Sequence, residues 1–451
     1  MKMFSFLKEY PAIRHRKDKA IIIVLVLWIV VVLGALASTL AWDVMINSKL
    51  TLAQRERQIA YNLARSGIAL GMTHLANDLL IEEEENSGQP YDAFSDVWMQ
   101  TPEDKDLEKG GIKLGKGTFT YSIIDEESKI NINKATAQLL RAMVEFYGVD
   151  QNDSDKIANA IVDWRDSDSN VTGDDSSTGL SENEYYSELA GQKLSKNLLS
   201  SDLIYQCPNE PFFTIEELLD VNGITDELFW GADAETRSSI AEDKRNRAAH
   251  GKSQKSTKRR SLGKNDTLPM CKVITVYGDG GININTASEE ALTIVLYAAN
   301  NLTDLSSAKS IAQSIINYRG DTKKRKSLKP DDALKSVEDL KKISGLDEED
   351  LVALSNTGNL GVTLAFKSSY FNIEGTGRVV KENRLYQTEK TISTIILKHL
   401  DVYNPDDARL TGTTLSASTG SGSKRRSLSR GRTDEDHLIR IPGIRVVQWN
   451  E

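Results

Sequence analysis

The chain has 451 residues, of which 39% are hydrophobic and 27% are charged, and its formal net charge is −9 at pH 7. This length leaves room for two or three domains with cores of their own beside an N-terminal anchor. The acidic balance argues against nucleic acid as the main partner, because binding to phosphate rests on clustered lysine and arginine.

An apolar run without any charged residue occupies residues 20–42. At about 1.5 Å of rise per residue, a helix of this length crosses a hydrocarbon core about 30 Å thick. The basic leader of residues 1–19 precedes the run, and lysine and arginine on this flank predict a cytoplasmic N-terminus with the rest of the chain outside. The alternative is a secretory signal peptide, because Ala35, Leu36 and Ala37 form an A-x-A cleavage pattern. We favour the transmembrane helix, since the apolar run continues through that pattern.

Residues 43–80 contain no proline, and their apolar side chains recur near helical spacing. We therefore expect them to be the exterior part of one helix of about 60 residues, or about 90 Å, that begins in the membrane. Residues 81–128 are predicted to be an acidic loop followed by the first strand of a folded head, over residues 117–124.

Residues 129–241 are predicted to form a first helical insertion. The segment Lys129–Ala135, KININKA, leads into an amphipathic helix, and a second helix is expected over residues 155–166 before a long acidic loop. Residues 215–230 have the pattern of a helix, a glycine turn and a second helix.

Residues 242–269 are basic and almost free of apolar side chains, which is typical of a flexible linker. The next segment, residues 270–280, contains a predicted strand at residues 270–277. Residues 281–356 are predicted to form a second helical repeat, because Gly281–Ala287, GININTA, has the same pattern as the start of the first insertion.

The last part of the chain, residues 357–451, changes to a period of two, which predicts antiparallel strands. A disordered loop at about 404–436 separates the last two of them. The predicted strands are 370–374, 378–385, 391–398 and 439–449.

No set of catalytic residues assembles along the chain. The five histidines are scattered, and the signatures of zinc, nucleotide and serine hydrolase sites do not occur. The sequence therefore predicts a protein that is not an enzyme. Its two cysteines, Cys207 and Cys271, could pair as a disulfide in an oxidising compartment or stay as separate buried thiols.

An acidic cluster lies at the end of the predicted helix 155–166 and in the loop that follows it. Carboxylate oxygens are the ligands that Ca²⁺ prefers, and repulsion among so many acids favours a counter-cation. The run does not match an EF-hand loop, since Val171 stands where glycine is required. The alternative is a solvated acidic loop without a metal. The candidate calcium ligands are Asp163, Asp166, Asp168, Asp174, Asp175 and Glu182.

The paired helices with glycine turns are similar to helix-hairpin-helix modules that bind DNA. The turns at Gly223 and Gly345 are followed by acids where a phosphate would lie, which is electrostatically unfavourable. A membrane-anchored DNA-binding protein with helix-hairpin-helix-like repeats is thus the alternative function, and we expect no nucleic acid partner.

A series of short motifs occurs in a characteristic order along nearly the whole chain. The motifs are ARSGI at 64–68, ININ at 130–133, DWRDSD at 163–168, ENEYY at 182–186, NEPF at 209–212, EELL at 216–219, NGI at 222–224, ININTAS at 282–288 and SYF at 369–371. In this order and spacing, the chain resembles the K-type minor pseudopilin of bacterial type II secretion systems.

The resemblance implies an α+β fold, with a long N-terminal transmembrane pseudopilin helix and an antiparallel β-sheet head that carries large inserted helical subdomains, SAM-like or helix-hairpin-helix-like. It further implies bound calcium near the DWRDSD segment. The implied location is the bacterial inner membrane, with a single pass and a periplasmic head at the tip of the pseudopilus. The implied partners are the I-type and J-type minor pseudopilins, the pseudopilus shaft and the inner-membrane secretion platform.

The N-terminus departs from the family pattern, in which a glycine before the apolar run marks the site of prepilin peptidase cleavage. Asp18 and Lys19 precede Ala20 here, so cleavage around these three residues is open. Ordinary pilin helices also carry an early glutamate, which neutralises the terminal amine of the neighbouring subunit. Residues 20–42 of this chain contain no acid. A buried acid without a partner is costly in a membrane, and a subunit at the top of the filament has no neighbour above it.

Overall fold

The computed structural model describes residues 14–84, 91–99, 111–173, 179–194, 207–231, 267–320, 333–379, 388–403 and 439–450. The predicted basic linker lies almost wholly outside the described residues, and so does the predicted loop at 404–436. The description below concerns the described ranges only.

The predicted long helix is confirmed as α1, Arg14–Glu84, which runs for 71 residues without a break. The absence of proline explains its continuity. The helix runs without a break through both candidate cleavage sites, residues 18–20 and 35–37. Ile22–Ile81 is long and apolar enough to cross a membrane. Apolar side chains are exposed from Ile22 to Leu52, whereas those from Ala60 to Leu79 are largely buried.

The head contains a five-stranded antiparallel sheet whose strands are, in order across the sheet, β1 Ile112–Leu114, β2 Gly117–Asp125, β7 Tyr370–Val379, β8 Thr388–Tyr403 and β9 Ile439–Asn450. The sequence predicted two strands, 370–374 and 378–385, where the structure has the single strand β7, with residues 380–385 outside the described ranges. Gly375 and Gly377 do not make a turn there, because they face α1 in an extended strand.

The sheet packs on α1 at very short range. A Cβ atom built on Gly375 would lie 2.3 Å from the carbonyl oxygen of Ala64, and one on Gly377 would lie 2.0 Å from that of Ala60. Small residues on both elements therefore let the helix and strand backbones meet. The apolar core between them includes Leu75 and Phe371.

A large helical region interrupts the sheet between β2 and β7. Its described parts form two units, which we call the first helical unit, residues 129–231, and the second helical unit, residues 281–365. The first unit contains β3 Ile130–Asn131, α2 Ala137–Phe146, α3 Gln151–Arg165, α4 Glu182–Leu194, a 3₁₀ helix Ile215–Asp220 and α5 Asp226–Trp230. The second contains β5 Gly281–Asn283, α6 Glu289–Ala299, α7 Leu305–Arg319, a 3₁₀ helix Val337–Lys342, α8 Glu348–Ser355, a 3₁₀ helix Asn356–Leu360 and β6 Thr363–Ala365.

Two predicted boundaries in the helical region are wrong. The helix expected from residue 155 begins at Gln151, because the Asp150 side chain caps it by accepting from the backbone N–H of Asp153. The strand expected over residues 270–277 is a 3₁₀ helix, Met270–Lys272, followed by the two-residue strand β4, Ile274–Thr275, which pairs in parallel with β3.

Equivalent asparagines of the two helical units make equivalent contacts. Asn133 accepts from the backbone N–H of Phe212 and donates to its carbonyl, both at 2.9 Å. Asn285 makes the same pair of bonds with Leu334, at 2.9 and 2.7 Å. Each side chain thus ties the strand at the start of a unit to the segment that precedes its glycine turn.

Candidate metal centre

The acidic cluster, defined as Asp163, Asp166 and Glu182, lies where α3 ends and α4 begins. One carboxylate oxygen of each residue lies within 4.8 Å of those of the other two. Asp163 is in the last turn of α3, and its two oxygens accept from the Thr172 backbone N–H at 3.0 Å and the Tyr186 hydroxyl at 2.6 Å.

The loop between α3 and α4 brings the third acid to the other two. Asn170 and Ser181 form an isolated antiparallel bridge, and the backbone N–H of Glu182 donates to the carbonyl of Ser169. These bonds fix both ends of the loop, so Glu182 returns to the C-terminus of α3 even though residues 174–178 lie outside the described ranges.

Three oxygen atoms at this place are buried and have no hydrogen-bond partner among the described residues. They are Oδ1 of Asp166, Oε1 of Glu182 and Oδ1 of Asn209. Asn209 has a positive φ of 53° and donates to the carbonyl of Asp168. Buried acceptors without donors are costly, and a cation would satisfy them.

The electrostatics of the cluster also favour a cation. The pKa of Glu182 is raised to about 7, chiefly by burial and in addition by the nearby charges of Asp163 and Asp166, although a hydrogen bond from Asn209 acts in the opposite direction. Burial likewise raises the pKa of Asp163 and of Asp166. Carboxylate oxygens from two helix termini, together with an amide oxygen, form a donor set that fits Ca²⁺.

The structure brings together some of the predicted ligands but not all. Asp163, Asp166 and Glu182 converge, whereas Asp168 is exposed and its carboxylate accepts from the backbone and side chain of Asn170. Asp174 and Asp175 lie outside the described residues, so their role stays a prediction. Asn209 was not among the predicted ligands, because it is far away in sequence and carries no charge.

A second group of acids was missed by the sequence interpretation. It lies at the distal end of α1, and we call it the lysine cluster: Asp78, Asp92, Asp96 and Lys398. The three acids each offer an oxygen within 4.8 Å of the others. The Lys398 ammonium lies 2.7 Å from Asp78 Oδ2 and 2.5 Å from Asp92 Oδ1, so this cluster contains its own cation.

The two cysteines, Cys207 and Cys271, are both buried thiols in the core of the helical region and are not joined by a disulfide in this structure. Their pairing in an oxidising compartment therefore stays a prediction.

The two glycine turns pack against helices. Gly223 and Gly345 have positive φ angles of 94° and 99°, and a Cβ on Gly223 would lie 2.6 Å from the side chain of Ile157 in α3. Acids begin the helix after each turn, Asp226 in α5 and Glu348 in α8. The contact of Gly223 with α3 favours a packing role for this turn over phosphate binding.

Comparison with known protein families gives a match over the first helical unit and the end of β2. Residues 121–230 match the family model described as type II secretion system (T2SS), protein K. The match confirms, over these residues, the family resemblance inferred from the sequence. No curated protein matches the chain.

One solved structure, the GspK-GspI-GspJ complex from the enterotoxigenic Escherichia coli type 2 secretion system, contains a similar chain. The identity is 16% and the TM-score 0.47, and the alignment covers 77% of this chain and 93% of that chain.

Proposed function

Because residues 121–230 carry the pattern of type II secretion system protein K, we propose that the chain is a non-enzymatic minor pseudopilin of such a system. It is anchored in the inner membrane by α1, has a periplasmic head and caps the tip of the pseudopilus together with I-type and J-type minor pseudopilins. The observation that carries this proposal is the family match in a chain whose apolar N-terminal helix continues into the head.

The course of α1 supports a pseudopilin architecture. Its apolar half is exposed and free to lie in a membrane or in a bundle of equivalent helices, while its other half packs on the sheet. A helix without a break also holds the head at a fixed distance from the bilayer.

The position of the helical region supports a place at the tip. Along the sheet, Gly377 lies against Ala60 of α1, whereas Gly71 of α1 lies against Ile373. The ends that carry the helical region, Asp125 of β2 and Phe371 of β7, are Cα partners beyond that point, at the distal end of α1. The helical region therefore extends the molecule away from the membrane, where a further subunit would otherwise stack.

A test of the partners uses the full chain, tagged and co-expressed with the I-type and J-type minor pseudopilins of the same bacterium. We expect all three to co-purify from detergent in equal amounts, and the omission of any one to change the composition of the complex. Purification of the tagged chain alone would contradict the proposal. Duplex DNA provides the control for the alternative function, and a salt-dependent shift of DNA would favour that alternative.

We also propose that the acidic cluster binds Ca²⁺ through Asp163, Asp166 and Glu182, with Asn209 as an additional oxygen ligand. The ion offsets two of the three negative charges of the cluster and orders the loop between α3 and α4. The support is the convergence of these acids and the three buried oxygens that lack a donor.

The calcium proposal predicts a loss of metal binding on substitution of Glu182. Calorimetric titration of the chelator-treated full chain should give a calcium-binding isotherm that disappears in Glu182→Gln. Binding should also weaken as the pH falls below about 7. The pKa of this carboxyl group is raised to about 7, so protons then compete with Ca²⁺ for it. Glu184→Gln is the control, because that exposed side chain accepts from Ser181 outside the cluster. Equal binding by wild type and Glu182→Gln would contradict the proposal.

A further inference from the structure

The lysine cluster joins three parts of the head that are distant in sequence. Asp78 belongs to the distal end of α1, Asp92 and Asp96 to the segment 91–99 that follows it, and Lys398 to β8. The side chains of Lys398 and Asp92 are both 0% exposed, and that of Asp78 is 6% exposed.

Aromatic rings shield the cluster from water. The Lys398 ammonium lies 5.5 Å from the ring centroid of Phe371, which is fully buried and packs edge-on against the buried Trp98 at 5.1 Å. Such surroundings disfavour charge, so the neutral amine and the neutral carboxyl group are more accessible here than they are in water. Neutral amine and neutral carboxyl are the forms that condense to an amide.

We propose that Lys398 and Asp92 condense to form an intramolecular isopeptide bond between β8 and the segment that follows α1. One proton passes from the ammonium of Lys398 to Asp92. Nζ then attacks Cγ of Asp92 and forms the C–N bond. Asp78 takes a proton from Nζ and returns it to the departing Oδ1 hydroxyl, so the C–Oδ1 bond breaks and one water is released. The reaction needs no oxidant, reductant or other co-reactant.

The surroundings of Asp92 select it as the carboxyl group that is attacked. Its Oδ1 lies 2.5 Å from Nζ, and its Oδ2 accepts from the backbone N–H of Ser368 at 2.8 Å. This N–H stabilises the negative charge that develops on Oδ2 during the attack, as a donor of an oxyanion hole does. Because the fold holds Nζ and the carboxyl group in contact, the reaction takes place within one molecule and needs no bimolecular encounter.

The other two acids have positions suited to proton transfer. Asp78 Oδ2 lies 2.7 Å from Nζ, within reach of the proton that the amine must lose. Burial raises the pKa of Asp96 to about 8, with further contributions from the charges of Asp78 and Asp92, so this acid carries a proton at neutral pH. Asp96 thus supplies an uncharged carboxyl group beside the reacting pair.

The bond would fasten the distal end of α1 to the middle of the sheet. The pairing of Lys398 and Asp92 spans 306 residues along the chain, so it closes most of the head into a covalent ring. A pull on the membrane end of α1 would then meet a covalent link as well as packing contacts. The inference does not depend on the proposed function, because it rests on the cluster alone.

The test is peptide mapping of the full chain, purified in detergent and digested with trypsin. We expect residues 66–105 joined to residues 391–409, at the sum of the two masses less one water and without cleavage after Lys398. Because the first peptide contains all three acids of the cluster, fragmentation spectra must locate the link. Separate peptides 66–105 and 391–398 at full mass would overturn the proposal, and a link at Asp78 would overturn the choice of Asp92.

Variants separate the reaction from folding. Lys398→Arg keeps a buried cation but has no amine that condenses, so the linked peptide should disappear. Asp78→Asn should lower the linked fraction by at least about tenfold at early times after synthesis. An unchanged fraction would overturn the role of Asp78. Lys129→Arg is the matched control, because the partly exposed Lys129 contacts Glu126 at 2.6 Å and the linked fraction should stay unchanged.

Discussion

Replacement of Lys398 by methionine is expected to destabilise the head by about 3–5 kcal/mol, because it removes the partner of the buried Asp78 and Asp92 carboxyl groups. Methionine keeps most of the volume of the side chain, so the loss reflects the missing partner of these acids more than lost packing. This expectation rests on the contacts of Lys398 with Asp78 and Asp92, at 2.7 and 2.5 Å. Amide hydrogen exchange in β7 and β8 measures the free energy of opening at this place.

A matched control is Lys342→Met, since the ammonium of Lys342 also lies 2.5 Å from a carboxylate oxygen, that of Asp339, but 63% of the side chain is exposed. Ion pairs at the surface are screened by water, so no measurable change in exchange is expected. If the two methionine variants behave alike, burial does not determine the contribution of the Lys398 pair.

The substitution Gly377→Ala should destabilise the contact between α1 and the sheet by about 3 kcal/mol, and Gly377→Val by more. The added Cβ would lie 2.0 Å from the carbonyl oxygen of Ala60 and 2.7 Å from both the backbone nitrogen of Ala64 and the Cβ of Leu63. Two of these atoms belong to the backbone of a packed helix, so neither a rotamer change nor a small side-chain shift relieves the clash. Calorimetric unfolding of the purified chain measures the loss.

Gly358→Ala is the control for this substitution. A Cβ there would lie 4.0 Å from the nearest atom, the Cγ2 of Thr363, which is an ordinary contact. We expect the unfolding transition to stay where it is in the wild type. A normal transition in Gly377→Val would show that the helix and the sheet are further apart than the structure indicates.

The elements that the sequence predicted well are those with a local signal. The proline-free course of α1, the alternation in β2 and the repeated ININ segments are each contained within a short window. Their existence was correct, whereas the start of α3 and the strand near residue 274 were not. Cap and turn geometry sets those ends, and the continuity of β7 through its glycines depends on α1, which no local pattern reveals.

The lysine cluster could not be predicted by scanning for motifs, since its members come from three separate parts of the chain. One signal was nevertheless present in the sequence. In TISTIILK, Ile392, Thr394 and Ile396 alternate toward the core, and Lys398 occupies the next inward position. A lysine on the apolar face of a strand implies a buried acid partner, although the pattern does not say which one.

The candidate metal site could likewise be predicted only in part from the sequence. Asp163 and Asp166 lie three residues apart at the end of one helix, so the sequence could place them together. Glu182 comes from the next helix, and Asn209 comes from a segment beyond it. Only the fold determines that these two join the first pair.

The insertion of both helical units between β2 and β7 has a consequence for the order of folding. Asp125 and Phe371 are neighbours in the sheet, yet the whole helical region separates them along the chain. Closing a loop costs entropy that rises with its length, by about 0.6 kcal/mol for each doubling, before any strand contact compensates for it. The helical units contain mainly local contacts and are therefore expected to fold first and bring the two strands together. The platform for the distal half of α1 then forms last, after both units have folded.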